Sequence, residues 1–303
     1  MELALEAAGV TKKFNNKTAL ADISFGIPRG SAFGIIGRNG AGKTTLIKLI
    51  LGFLRPSGGS LSVIGGKPGE FYSKIGYLPE YPDYHLSFAG REYLKYLAGM
   101  SGMNGAAAAA KVSELLELTG MSDGADRRMA HYSKGMLQKI GIAQALMTSP
   151  EFVILDEPFS GLDPFAQKEL CDIMAALKTQ NKTLLICSHI LAHLEKICDG
   201  FAIIHRGRII RHGETSSMLV TRGRYMLSVE NAGAAPLIEE LKEKYGLSKA
   251  EDGGYILEEK KKGDKEAVLK RLIDSGASIN ALGESKETLD DYFNSVVSPR
   301  EDE

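Results

Sequence analysis

The octapeptide Gly37-Arg38-Asn39-Gly40-Ala41-Gly42-Lys43-Thr44 fits the template G-x-x-x-x-G-K-[ST] at every position. Its small residues let successive backbone N–H groups turn inward around phosphate oxygens, and a helix starting there adds its positive dipole end. In such a cradle Lys43 bridges the outer phosphate oxygens and the Thr44 hydroxyl holds Mg²⁺, with Thr45 counted among the phosphate-binding positions. A second cluster, Phe152-Val153-Ile154-Leu155-Asp156-Glu157, is an apolar run that ends in two carboxylates. A buried strand delivers such a pair at its C-terminal edge, where α/β folds place their ligands. Asp156 then suits a hold on Mg²⁺, and Glu157 can polarise an attacking water.

Both clusters need a rigid frame. Ser31 to Ile36 reads as a short strand and Thr44 to Phe53 as a helix, so the glycine loop joins strand to helix as a phosphate cradle requires. Leu3 to Phe25 reads as short strands around a turn at Asn15-Asn16-Lys17. Gly58-Gly59 and Gly65-Gly66 punctuate a small β segment, and Lys74 to Leu78 is a further strand. From Ala89 to about Ala145 the pattern is helical, with Tyr93, Tyr96 and Leu97 spaced for one face and an alanine-rich run at Ala106 to Ala110. Phe152 to Leu155 and Thr183 to Ile186 are apolar throughout, as strands covered on both faces are. Phe201 to Ile210 resembles a hairpin turning at Arg206-Gly207.

After about Tyr225 the texture changes to an alternation of short strands and helices, a small α/β unit ending in a helix with Leu289, Tyr292 and Phe293 on one face. The expected organisation is therefore residues 1–224, with a helical insertion at about 83–145, followed by a smaller unit at 225–303. Charge follows this division. Residues 225–303 hold 11 Lys/Arg against 18 Asp/Glu, or −7, which leaves 26 against 20, or +6, for residues 1–224. A net charge of −1 over 303 residues supplies no global basic field, so no nucleic-acid partner is expected. Hydrophobic residues at 44% exclude a disordered chain. Cys171, Cys187 and Cys198 form no CxxC pair and read as free thiols of a reducing compartment. The N-terminal residues show no signal-peptide pattern. The richest apolar run, Leu46 to Leu54, is interrupted by Lys48 and is far below the roughly 20 residues of a membrane span. Any membrane role is expected to pass through a partner.

In order and spacing these motifs resemble those of ABC (ATP-binding cassette) ATPases, and the resemblance spans about residues 3–220. Tyr132-Ser133-Lys134-Gly135-Met136 lies at the place of the family's signature motif, and Ser160-Gly161-Leu162-Asp163 matches its D-loop. Ser188-His189 matches the switch histidine, Glu80 stands at the Q-loop glutamine, and Phe14 stands where an aromatic residue stacks on adenine. The implied fold is a P-loop α/β core with a β-subdomain and a helical insertion, plus a small C-terminal α/β domain of ferredoxin-like type. The implied cofactors are ATP and Mg²⁺.

The resemblance further implies that two ATPase subunits close head to tail, each burying ATP between its own cradle and its partner's signature. Lys43, Glu157 and His189 are the implied catalytic groups. Thr44, Asp156 and Glu80 hold the metal, while Phe14, residues 37–45, Ser133 and Gly135 hold ATP. Asp163 couples the two sites. The segment Tyr81 to Phe88 leads to the surface that meets an integral membrane permease, placing the chain in the cytoplasm at the inner face of the membrane. Two departures stand out: Lys134 and Met136 replace a glycine and a glutamine of the usual signature, and Glu80 replaces glutamine. The Ser-Lys-Gly-Met form is similar to one common in exporter-type cassettes with separate permeases. The competing readings are a soluble ABC ATPase acting on DNA or ribosomes and a non-hydrolysing regulatory module.

Overall fold

The computed structural model describes residues 2–218, 224–230, 235–250, 253–259, 261, 263–284 and 289–297. The chain falls into two units, residues 1–215 together with 296–303 and residues 216–295, and the first division lies earlier than the texture change expected near residue 225.

In the first unit, β1 (Leu3–Phe14) and β2 (Lys17–Pro28) form one long antiparallel hairpin. Its turn is at the expected place, with Asn15 in the left-handed region at φ 49°. The strand β3 (Ala32–Ile36) leads through the glycine loop into α1 (Lys43–Ile50), and β4 (Gly58–Val63) then joins the free edge of β1. The three-stranded sheet has the order β2-β1-β4. After β5 (Ile75–Leu78), the helical stretch divides into α2 (Gly90–Met100), α3 (Gly105–Leu118) and α4 (Lys134–Ala145). Glu92 Oε2 accepts the Ala89 N–H at 3.0 Å and so satisfies one donor at the start of α2. In α3, Ala108, Val112, Leu115 and Leu116 recur at helical spacing and are buried.

The remaining elements of this unit are β6 (Phe152–Asp156), α5 (Pro164–Thr179), β7 (Thr183–Ser188), α6 (Leu191–Ile197), β8 (Gly200–His205) and β9 (Arg208–Glu214), and the short α7 (Thr215–Met218) begins at the division between the units. The main sheet has six strands in the order β5-β6-β7-β3-β8-β9. The first five are parallel, and β9 returns antiparallel beside β8. Every residue of β3, β6 and β7 is buried, which is why these strands are apolar without alternation. One core joins the two sheets through α1, with Leu5, Val10, Leu20 and Ile23 packed together with Ile35, Leu46, Ile47, Ile154 and Leu185. Each such side chain contributes about 1.5–3 kcal/mol by leaving water. Because β3, β6 and β7 run parallel as neighbours, Gly37, Glu157 and His189 all emerge at one edge of the sheet.

The second unit contains β10 (Arg224–Glu230), α8 (Ala235–Tyr245), β11 (Ser248–Lys249), β12 (Tyr255–Glu258), α9 (Asp264–Asp274), β13 (Ser278–Glu284) and all but the last two residues of α10 (Leu289–Val297). Its sheet is antiparallel in the order β11-β12-β10-β13, the split arrangement of a ferredoxin-like βαββαβ unit. The two-residue β11 is too short to leave a period in the sequence. Leu227, Leu241, Leu257, Val268 and Leu272 make a separate core. Leu289 and Val297 of α10 are buried, and Tyr292 and Phe293 between them are partly so. Of the C-terminal segment Ser285 to Phe293, residues 285–288 lie outside the described residues.

Candidate functional site

A cleft of about 140 Å³ opens at the C-terminal edge of the main sheet, lined by Arg38, Asn39, Gly40, Gly42, Lys43, Thr44, Thr45, Glu80, Asp156 and Glu157. The loop that forms one wall depends on two glycines. Gly42 has φ 117°, and a Cβ there would lie 2.7 Å from Leu20 Cδ2. Gly37 passes so near β8 that a Cβ would meet Ile204 O at 2.6 Å. The loop is also braced from outside, because the Gly207 N–H donates to Ala41 O at 2.9 Å and the Ala21 N–H to Gly207 O at 2.8 Å. The hairpin turn at Arg206-Gly207 thus props the cradle, a role that its turn chemistry alone did not signal. Ala41 and Gly37 shape the loop from behind, and the other predicted cradle residues face the cleft.

Opposite the loop, Asp156 closes β6 and Glu157 follows it at φ 48°, a conformation uncommon for a side chain of this size. The Glu157 N–H still donates to Cys187 O at 2.8 Å, extending the strand contact by one residue, while its carbonyl accepts from Ser160 N at 3.1 Å. The left-handed step therefore leaves the sheet contact intact while the chain turns. Glu157 Oε1 lies 3.0 Å from Lys43 Nζ, and both side chains are about 95% buried, at 5% and 6% exposure. That pair is close but not aligned as a hydrogen bond, and Oε1 has no other partner. Lys43 Nζ donates instead to Gly37 O at 2.6 Å. Glu157 Oε2 meets His189 Nδ1 at 2.7 Å and accepts from the His189 backbone N–H at 3.3 Å. Ser188 Oγ takes the Ile190 N–H at 3.0 Å and shapes the turn that presents His189. Lysine, glutamate and histidine, which are distant in sequence, form one continuous chain of contacts.

Asp156 is pushed up to about 6 by burial first, then by Glu157 and Glu80, against the lowering effect of Lys43. Burial, followed by the charge of Asp156, likewise pushes the nearby Tyr77 up to about 12. Tyr77 carries no motif, and sequence reasoning missed it. Tyr84 was missed too: its hydroxyl donates to Leu137 O at 3.0 Å, linking the segment after Glu80 to α4.

The other predicted residues are placed elsewhere in the unit. Ser133 is the N-cap of α4 and accepts from Met136 N at 3.2 Å. Gly135 is buried against α5, where a Cβ would sit 2.9 Å from Ala166 Cβ. Asp163 is the N-cap of α5, accepting from Phe165 N at 3.0 Å and Ala166 N at 2.9 Å. Phe14 is 45% exposed at the end of β1, with Lys12 Nζ 5.0 Å above its ring. None of these four lines the cleft that holds Lys43 and Glu157.

Residues 20–160 match the family model described as ABC transporter. An uncharacterised ABC transporter ATP-binding protein of Nostoc sp. is 38% identical over 217 residues, 70% of this chain and 65% of that protein. The bacitracin transport ATP-binding protein BcrA of Enterococcus faecalis is 30% identical over 305 residues, covering 98% of this chain and 97% of the relative. A solved structure of an ATP-binding subunit of an ABC transporter superposes with a TM-score of 0.64 at 33% identity, over 72% of this chain and 92% of that one. With the glycine loop, the strand-end carboxylates and the histidine assembled on one sheet edge, the chain belongs to the ABC transporter ATP-binding proteins, the ATP-hydrolysing subunits that power transport.

Proposed function

We propose that two copies of this chain close head to tail on ATP and Mg²⁺ and hydrolyse the nucleotide between them. The observation that carries the reading is the contact chain Lys43–Glu157–His189 at the wall of the glycine-loop cleft. Glu157 is the general base that takes a proton from the attacking water, and His189 holds the Glu157 carboxylate and reaches the γ-phosphate. Lys43 neutralises charge on the transferred phosphoryl group. Phe14 is the platform for adenine, and Ser133 and Gly135 serve the nucleotide of the second copy. Their position away from the cleft supports a site completed in trans, as does that of Asp163, which couples the two sites.

The Thr44 hydroxyl, the Asp156 carboxylate and Glu80 are the groups that would hold Mg²⁺, which supplies charge neutralisation at the phosphates. The fit rests on Thr44, Glu80 and Asp156 lining one cleft and on the raised Asp156, which burial, Glu157 and Glu80 leave short of positive charge. Among the described residues no cluster of three or more His, Cys, Asp or Glu can hold a metal. Mg²⁺ suits such a pocket, because it is bound by one or two carboxylates together with phosphate oxygens and water.

No helix among the described residues is long and apolar enough to cross a membrane. In this reading the chain works on a separate integral membrane permease, peripheral to the inner face of the membrane, and the Ser133-Lys134-Gly135-Met136 signature supports export as the direction. Purification of the tagged protein from its native cells in mild detergent tests this. A polytopic membrane protein recovered in near-equal amount is the expected result. Recovery of ribosomes or DNA-associated proteins instead would overturn the transport reading and leave the ATPase chemistry standing.

A further inference from the structure

A second chain of side chains links the helix after His189 to the loop before α5, and no step above uses it. His193, in the first turn of α6, meets three groups. Its ring lies tilted on Phe159 with centroids 4.7 Å apart. Its Nε2 is 2.9 Å from Gln167 Oε1, and its Nδ1 is 3.7 Å from Cys171 Sγ. Gln167 Nε2 in turn donates to Leu162 O at 3.1 Å. These contacts have one consistent direction. A carbonyl only accepts, so the Gln167 amide must give its NH₂ to Leu162 and keep its oxygen for His193. His193 therefore carries its proton on Nε2, and its Nδ1 accepts from the Cys171 thiol. Partial burial and the neighbouring Lys196 lower the His193 pKa, which favours this neutral form. The chain anchors α6 at one end and the backbone of Leu162, in the segment Ser160 to Asp163, at the other.

We propose that His193 and Gln167 are positioning residues that tie the Ser160–Asp163 loop to the helix following His189, so that loop and histidine shift together when two copies pair. The proposal rests on the head-to-tail reading above.

The full-length protein tests it with three substitutions. His193→Phe keeps a ring against Phe159 and removes both nitrogens. Gln167→Met, at a half-buried position, keeps side-chain length and removes the amide. His193→Gln returns an N–H donor toward Gln167 Oε1. For the first two, ATP affinity by calorimetry should stay within about twofold of the parent, while kcat falls about tenfold through displacement of groups that the substitutions do not touch. The Hill coefficient for ATP should move toward one. The double variant His193→Phe/Gln167→Met should be no weaker than the weaker single variant, and His193→Gln should recover most of the lost turnover.

Parental kcat and cooperativity in both single variants would overturn the link. So would losses that multiply in the double variant, or a His193→Gln variant as impaired as His193→Phe. The parent run alongside separates the two readings. A parent with no ATP-driven dimer and a Hill coefficient of one overturns the pairing and this proposal together. A cooperative parent that neither substitution affects overturns the link alone.

Discussion

Glu157 is where the demands on this site concentrate. Its carboxylate is almost wholly buried, with a cation near one oxygen and a histidine on the other, and its backbone is held in a left-handed conformation. A buried carboxylate is tolerated only where counter-charge and donors meet it, and here Lys43 and His189 supply both. Glu157→Gln keeps the shape and the His189 contact but cannot take up a proton. It should bind ATP normally, hydrolyse it at least about 10²-fold more slowly, and accumulate as an ATP-bound dimer. ATPase assay and light scattering check this, and wild-type turnover would remove Glu157 from the role of base. Lys43→Ala should behave differently, losing nucleotide affinity itself when measured by calorimetry. The types and places of these groups were legible in the sequence, because the cradle is one contiguous octapeptide and the carboxylates end an apolar run. Their contact was not, since it depends on which strand lies beside which.

Among elements, the parallel trio β6-β7-β3 aligns the ends of three strands, and α5, the helix that follows β6, carries a side-chain cap. Asp163 holds two backbone donors at the start of α5, with Pro164 completing that first turn. It therefore has a stabilising role beside the coupling role proposed for it. Asp163→Ala should destabilise the unit by about 1 kcal/mol, read as a lowered melting temperature. Asp163→Asn keeps the cap and should melt near the parent. A loss of ATPase activity shared by both variants would then belong to the carboxylate, whereas a loss confined to the alanine variant would assign Asp163 to helix stability alone. Sequence patterning found every strand of the main sheet. It ran α2, α3 and α4 together, because the break at 101–104 is about one helical turn and because the buried Met121, Ala125 and Met129 recur every fourth residue across the longer break at 119–133, as a helix face would.

For the whole molecule, the separation of Ser133, Gly135 and Asp163 from the cleft has a kinetic consequence. If each nucleotide meets those groups only across a dimer, ATPase activity per chain must fall on dilution below the dimer dissociation constant. Turnover measured across about three decades of protein concentration should drop at the dilute end, in step with the loss of dimer by light scattering. Constant specific activity at all dilutions would show that one copy suffices. The ferredoxin-like second unit has its own core and an acidic balance of charge, in contrast to the basic balance before it. The near full-length match to the bacitracin transport ATP-binding protein includes this region.

The sequence by itself determined the groups on which the proposed chemistry rests. Phosphate binding needs consecutive small residues followed by Lys43 and Thr44, and a strand-end carboxylate pair needs only its own apolar run, so both are written in local order. The alternation after Tyr225 is local in the same way. Tertiary structure alone decided that Lys43, Glu157 and His189 touch, that the hairpin turn at Gly207 braces the cradle, and that His193 and Gln167 join two functional segments. Those contacts come from the order of strands in the sheet and from side chains meeting across separate elements. Such pairings are set by global packing, in which many residues each contribute about 1.5–3 kcal/mol, and no single stretch of sequence contains them.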